Sequence, residues 1–147
     1  MTSQRKFELK GSELFIDGKL VNGVLYQKGH LRGSIRMGDA VENISTENVV
    51  LIVGERTIFI AYIHTDNEDR TIVLSYPATQ QSGNHSILPG GPVNAYYTLG
   101  IPSYSGTGTV HFQNIVPGAV SGSFNFITNN AQGELVTVTV NDFKGTP

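Results

Sequence analysis

The chain has 147 residues, no cysteine, and 10 lysines and arginines against 12 acidic residues, for a formal net charge of −2. That length fits a single domain, 1–147, able to bury a sizeable core unaided, and the missing cysteines exclude both a disulfide framework and a thiolate metal site. The scattered, slightly acidic charge argues against a nucleic-acid surface, which is basic overall or in patches.

Taken from the N-terminus, Arg5 and Lys6 have no apolar stretch behind them, so the opening residues do not read as a signal peptide. The protein is expected in the cytoplasm if Met1 is the true start, and in the cell envelope or outside if a leader was removed. Residues 7–9 suit a short strand. Residues 14–16 and 19–21 flank Asp17-Gly18, a two-residue hairpin turn in which both positions favour positive φ. Leu31, Gly33, Ile35 and Met37 alternate with Arg32, Ser34 and Arg36, giving one buried and one wet face. Residues 39–46 are ambiguous, since Asp39 could cap one helical turn through Ala40, Val41 and Ile44.

Residues 49–53 and 57–63 surround Gly54-Glu55, a second hairpin, and both runs are apolar on both faces. They are expected at the centre of a sheet. No apolar run approaches the roughly 20 residues of a membrane helix. After a polar turn at 66–69, residues 71–76 continue the meander. Residues 77–92 are polar and lack periodicity, and they read as the one long, mobile loop. A strand over 93–99, an irregular connection over 99–106 and three alternating strands within 107–143 complete the chain.

Seventeen glycines and six prolines fall between the apolar runs, as turns and bulges do. No helical pattern lasts more than a turn or two. The fold class is all-β: an antiparallel β-sandwich or partly closed β-barrel of about nine or ten strands, spaced roughly 8–12 residues apart.

The chemistry-bearing residues form no catalytic pattern. The four histidines, His30, His64, His85 and His111, lack ligand spacing, although His64 and His111 both sit at strand positions and could meet across a sheet. Asp66, Glu68 and Asp69 form a carboxylate turn without the glycine usual in a calcium loop. No hydrolase elbow or phosphate loop occurs, and Ser121 and Ser123 have no base nearby. The strand acids Glu8, Glu13 and Glu134 are too few to suggest a paired-carboxylate site. Asn43 and Asn84 begin glycosylation triplets that read as chance matches without a eukaryotic leader. No catalytic residue, metal or cofactor is assigned. The expected ligand-binding residues are Tyr76, Gln80, Asn84, His85, Tyr96, Tyr97 and Tyr104, which border or lie in the irregular segments. Tyrosine offers large contact area at low entropic cost. One of Tyr96 and Tyr97 should nevertheless be core, because neighbours on a strand face opposite ways.

Gly108, Val110 and Phe112, then Ile115, the run from Val120 through Ser121-Gly122 to Phe124 and Phe126, then Gly133, Val136, Val138 and Phe143, form a spaced pattern. Together with Phe15 to Gly18 near the start, it resembles an uncharacterised all-β domain of secreted lipoproteins from Bacteroidetes-type bacteria. The chain differs from that domain in lacking a lipobox cysteine and a tryptophan after the first hairpin, and in carrying Asn141-Asp142 where Asn-Gly is usual. The resemblance implies an all-β fold in the bacterial envelope and carries no catalytic residues.

The sequence thus points to a non-enzymatic binding module of the bacterial cell envelope or exterior. A glycan, peptide or protein would be its ligand, and there would be no nucleic acid and no transmembrane segment. The alternative is a leaderless cytosolic structural or interaction protein of a phage or of a toxin–antitoxin-like system.

Overall fold

The computed structural model of the protein describes residues 4–11, 13–64, 69–99, 103–130 and 132–147. Every regular element among them is a β-strand. In chain order these are β1 (Gln4–Arg5), β2 (Phe7–Lys10), β3 (Glu13–Ile16), β4 (Lys19–Leu20), β5 (Val24–Tyr26), β6 (Lys28–Met37), β7 (Ala40–Thr46) and β8 (Val49–Val53). There follow β9 (Arg56–His64), β10 (Asp69–Pro77), β11 (Gly83–Ile87), β12 (Asn94–Leu99), β13 (Ser103–Ser105), β14 (Thr107–Val116), β15 (Ala119–Asn129) and β16 (Leu135–Thr146). The number exceeds the nine or ten expected because short pieces such as β1, β4, β5 and β13 carry too few residues to show an alternation.

The strands form three antiparallel sheets. One has seven strands in the order β1-β13-β12-β10-β9-β8-β5, one has six in the order β11-β14-β15-β16-β6-β7, and a small one runs β2-β3-β4. The sheets are not closed into a barrel, so of the two architectures expected the sandwich is the one adopted.

Side-chain parity explains the layering. Successive residues of a strand face opposite ways, so a strand apolar at every position must be covered on both sides. On β8, β9 and β10 one set of side chains, including Leu51, Phe59 and Leu74, packs with Phe112, Phe126 and Phe143 of the six-stranded sheet. The opposite set, Val50, Ile52, Ile58, Ile60 and Val73, packs with Leu14 and the half-buried Phe7, Leu9 and Ile16 of the small sheet. The seven-stranded sheet is therefore a middle layer. The six-stranded sheet alternates instead, apart from bulges between Phe112 and Asn114, Gly122 and Phe124, and Val140 and Asp142. Phe124 and Phe126 are buried while Asn125 is exposed, as the period of two requires.

The aromatic core runs from layer to layer. Phe143 stands 5.2 Å from Phe59 of the middle sheet and 5.2 Å from Phe124 beside it. An ion pair also crosses the layers, joining the buried Arg70 on β10 to Glu42 on β7.

Both expected hairpins are present. Asp17 and Gly18 have φ of 52° and 80°, the paired positive values of a two-residue hairpin turn. β8 and β9 turn through Gly54-Glu55, with Val53 opposite Thr57. Two expectations are corrected. Residues 39–46 contain no helical turn. Met37 pairs with Ala40 around Gly38-Asp39, and β7 runs on with Ile44 inward and Val41 and Asn43 outward. Nor are residues 77–92 one long loop, since β11 pairs with β14 from Gly83 to Ile87 and forms an edge of the six-stranded sheet. Its polar sequence hid the strand, because an edge strand with one wet face buries few of its side chains.

Candidate functional site

The expected tyrosine patch does not assemble. Tyr76 and Tyr97 point into the core between the two large sheets, and Tyr96 points the other way, toward the small sheet. Parity separates Tyr96 from Tyr97 as expected, but each face of the middle sheet is covered, so both rings are buried at 7% and 1% exposure. Tyr76 packs edge-on against Phe112 at 4.9 Å, and burial raises its phenol pKa. Tyr104 is half-buried on β13, opposite Tyr97.

The other expected ligand-binding residues lie near β11. Asn84 is on its outer face, where Oδ1 accepts a hydrogen bond from His111 Nδ1 at 2.7 Å. His85 faces the other way, with Nε2 donating to the Gln81 carbonyl at 2.9 Å and its ring 5.9 Å from Phe112. Gln80 and Tyr76 share a hollow of about 160 Å³ with Ile115 and Pro117.

The candidate histidine and carboxylate sites are dispersed. His64 on β9 lies in the middle sheet and His111 on β14 in the six-stranded sheet, so they do not pair across one sheet as envisaged. His64 instead bonds to Asp69 at 2.7 Å, and His30 to Asp142 at 2.6 Å. Asp66 and Glu68 of the carboxylate turn lie outside the described residues. Among the described residues no three His, Asp or Glu side chains gather as metal ligands would. Glu8 pairs with Lys6 in the small-sheet layer, whereas Glu134 sits in the turn before β16.

A different cleft is built from the middle sheet upward. Ile58 on β9, Ser75 on β10 and Asn94 on β12 are register partners across three neighbouring strands. They share the face that the small sheet covers, together with Arg56 and Tyr96. The small sheet ends beside them, leaving a hollow of about 340 Å³. Its floor is apolar, formed by Phe7, Ile16 and Ile58, with the Phe7 ring 5.2 Å from that of Tyr96. The Gly90-Gly91 turn makes a wall. Asn94 holds that turn by donating from Nδ2 to the carbonyls of Leu88 at 2.8 Å and Gly91 at 3.0 Å.

Two guanidinium groups border the hollow. Arg5 Nη1 donates to Asp17 Oδ2 at 2.9 Å, and Arg5 also bonds the Tyr96 hydroxyl, so its pKa is raised chiefly by Asp17. Arg56 is different. Its Nε donates to Ser75 Oγ at 3.0 Å, and its Nη2 donates to the Pro92 carbonyl at 2.6 Å and to Asn94 Oδ1 at 3.4 Å. All three acceptors are neutral. Burial lowers its pKa, although an arginine remains charged throughout the physiological range.

Sequence reasoning missed this cleft because its residues come from segments far apart in the chain. One signal was present: Arg56 is the only basic residue in the apolar stretch 49–63.

A second surface is the outer face of the six-stranded sheet. Ser86, Thr109, Asn125, Thr139, Ser34 and Asn43 are successive register partners across all six strands, a row of uncharged hydrogen-bonding side chains.

Fold and surface define the class as an all-β protein of layered antiparallel sheets, carrying a cationic cleft at one end of the small layer. No protein-family model matches the chain, and neither the curated proteins nor the solved structures yield a match.

Proposed function

We propose that the protein is a non-enzymatic binding module of the bacterial cell envelope or exterior, which seats part of a glycan, peptide or protein in the cleft between the small sheet and the middle sheet. The observation that carries this reading is the form of the cleft. An apolar floor with a few converging polar groups is the usual make-up of a ligand pocket, and about 340 Å³ lies at the small end of the range for one. The envelope location rests on the lipoprotein-like sequence pattern alone.

Chemical-shift mapping tests the reading. Short neutral glycans and short peptides would be added separately to the ¹⁵N-labelled full chain. Shifts centred on Ser75, Asn94 and Tyr96 are expected for at least one of them. Shifts confined to Thr109, Asn125 and Thr139 would move the binding surface to the outer face of the six-stranded sheet.

A second reading, a structural or interaction protein of a phage or toxin–antitoxin-like system, draws on that uncharged row. Self-association of the full chain in sedimentation experiments, abolished by Thr139→Lys, would favour it.

A further inference from the structure

We propose that the cleft reads a peptide C-terminus, with the α-carboxylate on Arg56 and an apolar last side chain on Phe7, Ile16 and Ile58. The inference rests on the binding reading above and gives it a ligand class.

The argument begins with the donors of Arg56. A guanidinium has five N–H groups. Ser75, Pro92 and Asn94 engage those of Nε and Nη2, while Nη1 has no hydrogen-bond partner among the described residues. Nor does any carboxylate pair with Arg56 among the described residues. Arg5, Lys6 and Arg70 do pair with acids, and Asp17, the partner of Arg5 at the border of the hollow, is already held by Arg5 and by the Lys6 backbone N–H. A half-buried cation fixed by neutral acceptors, with one nitrogen left over, is ready to take an anionic oxygen. Charge-assisted hydrogen bonds of this kind are about twice as strong as neutral ones.

The surroundings narrow the anion to a class. An inorganic ion or a sugar acid would leave the Phe7, Ile16 and Ile58 floor uncovered. A carboxylate on an apolar body would use both parts of the hollow. The cleft is small and walled by the Gly90-Gly91 turn, which suits the end of a chain better than its middle. The fixed position of Arg56 also means little ordering is required on binding.

The test uses the intact protein and three probes: N-acetyl-Gly-Gly-Leu with a free carboxylate, the same peptide amidated, and sodium glucuronate. Binding is read from the amide shifts of Ser75, Asn94 and Tyr96. The free acid should bind at least about tenfold more tightly than the amide, equivalent to about 1.4 kcal/mol, and glucuronate should bind no better than the amide. Arg56→Gln should abolish the preference, so that the free acid and the amide bind the variant equally. Should Arg56→Gln fail to fold, because Arg56 also holds Pro92 and Asn94, the acid–amide ratio of the unaltered protein decides. Equal affinity of acid and amide overturns the proposal while leaving a neutral ligand in the cleft. Glucuronate binding as well as the peptide also overturns it, since the apolar floor is then not read. An absence of cleft shifts with every probe, and with the neutral glycans and peptides above, removes both this inference and the cleft as the binding site.

Discussion

Phe143→Ala tests the layered core where it is most concentrated. The ring is fully buried, and it is the link between Phe59 of the middle sheet and Phe124 of the six-stranded sheet, each 5.2 Å away. Truncating a buried phenylalanine costs about 3–5 kcal/mol, made up of lost transfer energy and the cavity left behind. The tilted contact with Phe59 and the edge-on contact with Phe124 contribute about 0.5–1.5 kcal/mol each. The upper half of the range is expected, because the cavity would open between two sheets whose backbones are fixed by their own ladders and cannot collapse into it. Against a total stability of about 5–15 kcal/mol, this is a large fraction. For a chain of 147 residues, at about 2–4 °C per kcal/mol, the melting temperature should fall by roughly 8–20 °C. Urea denaturation followed by far-ultraviolet circular dichroism is the suitable assay, as the chain has no tryptophan. The slope of free energy with urea should be unchanged. A loss below about 1 kcal/mol, with an unaltered slope, would show that Phe143 does not fill the space between the layers.

Other perturbations report on single elements. Gly33→Ala should weaken the β6–β16 pairing by about 1–3 kcal/mol, because a Cβ there would stand 1.9 Å from the Thr139 carbonyl oxygen, a backbone atom that can move only by breaking the ladder. Unaltered denaturation would show that the two strands have room to part. Tyr62→Phe should be neutral or stabilising by up to about 1 kcal/mol, since the buried Tyr62 hydroxyl has no hydrogen-bond partner among the described residues. A loss larger than that would reveal a partner. Asp17 accepts from the Lys6 backbone N–H and from Arg5, which together depress its pKa below the ordinary 3.8. The stability it adds is therefore complete above the unfolded value and disappears as pH falls through the lower, folded one. Stability curves of the unaltered protein and Asp17→Asn should converge only as pH falls below the ordinary 3.8, and a gap that has already closed above that pH would refute the depressed pKa.

Where strand pairing is local and one face is buried, the fold was legible in residue types alone. The Asp17-Gly18 and Gly54-Glu55 turns, the inward Leu31 and Ile35, and the Phe124/Phe126 parity all follow from a period of two. The apolar run at 49–53 indicated a strand covered on both sides, though not what would cover it. β7 and β11 were obscured because each is an edge strand with few buried side chains, so polar residues such as Asn43, Asn84 and Ser86 mask the alternation. The tyrosines misled for a related reason. Their place beside loops was correct, but whether Tyr76, Tyr96 and Tyr97 meet solvent depends on the sheets stacked above and below them. The cleft was illegible because Arg5, Ile58, Ser75 and Asn94 are neighbours only after the middle sheet has formed and the N-terminal hairpin has docked on it.

The unequal thickness of the layers has a kinetic side. The small sheet consists of two four-residue strands and a two-residue strand, and only Leu14 of its side chains is fully buried. So thin a layer can lift away while the rest stays folded, a local opening of low free energy. Amide protons of Leu14 to Leu20 should then exchange with deuterated water well before those of Phe59 to Ala61. The opened form would wet Val50, Ile52, Ile58, Ile60 and Val73 together, a contiguous greasy strip on a pre-formed sheet. Such a strip is where chains adhere to one another. The N-terminal hairpin keeps that strip covered, so its fraying, rather than global unfolding, is the expected first step towards association in concentrated solution.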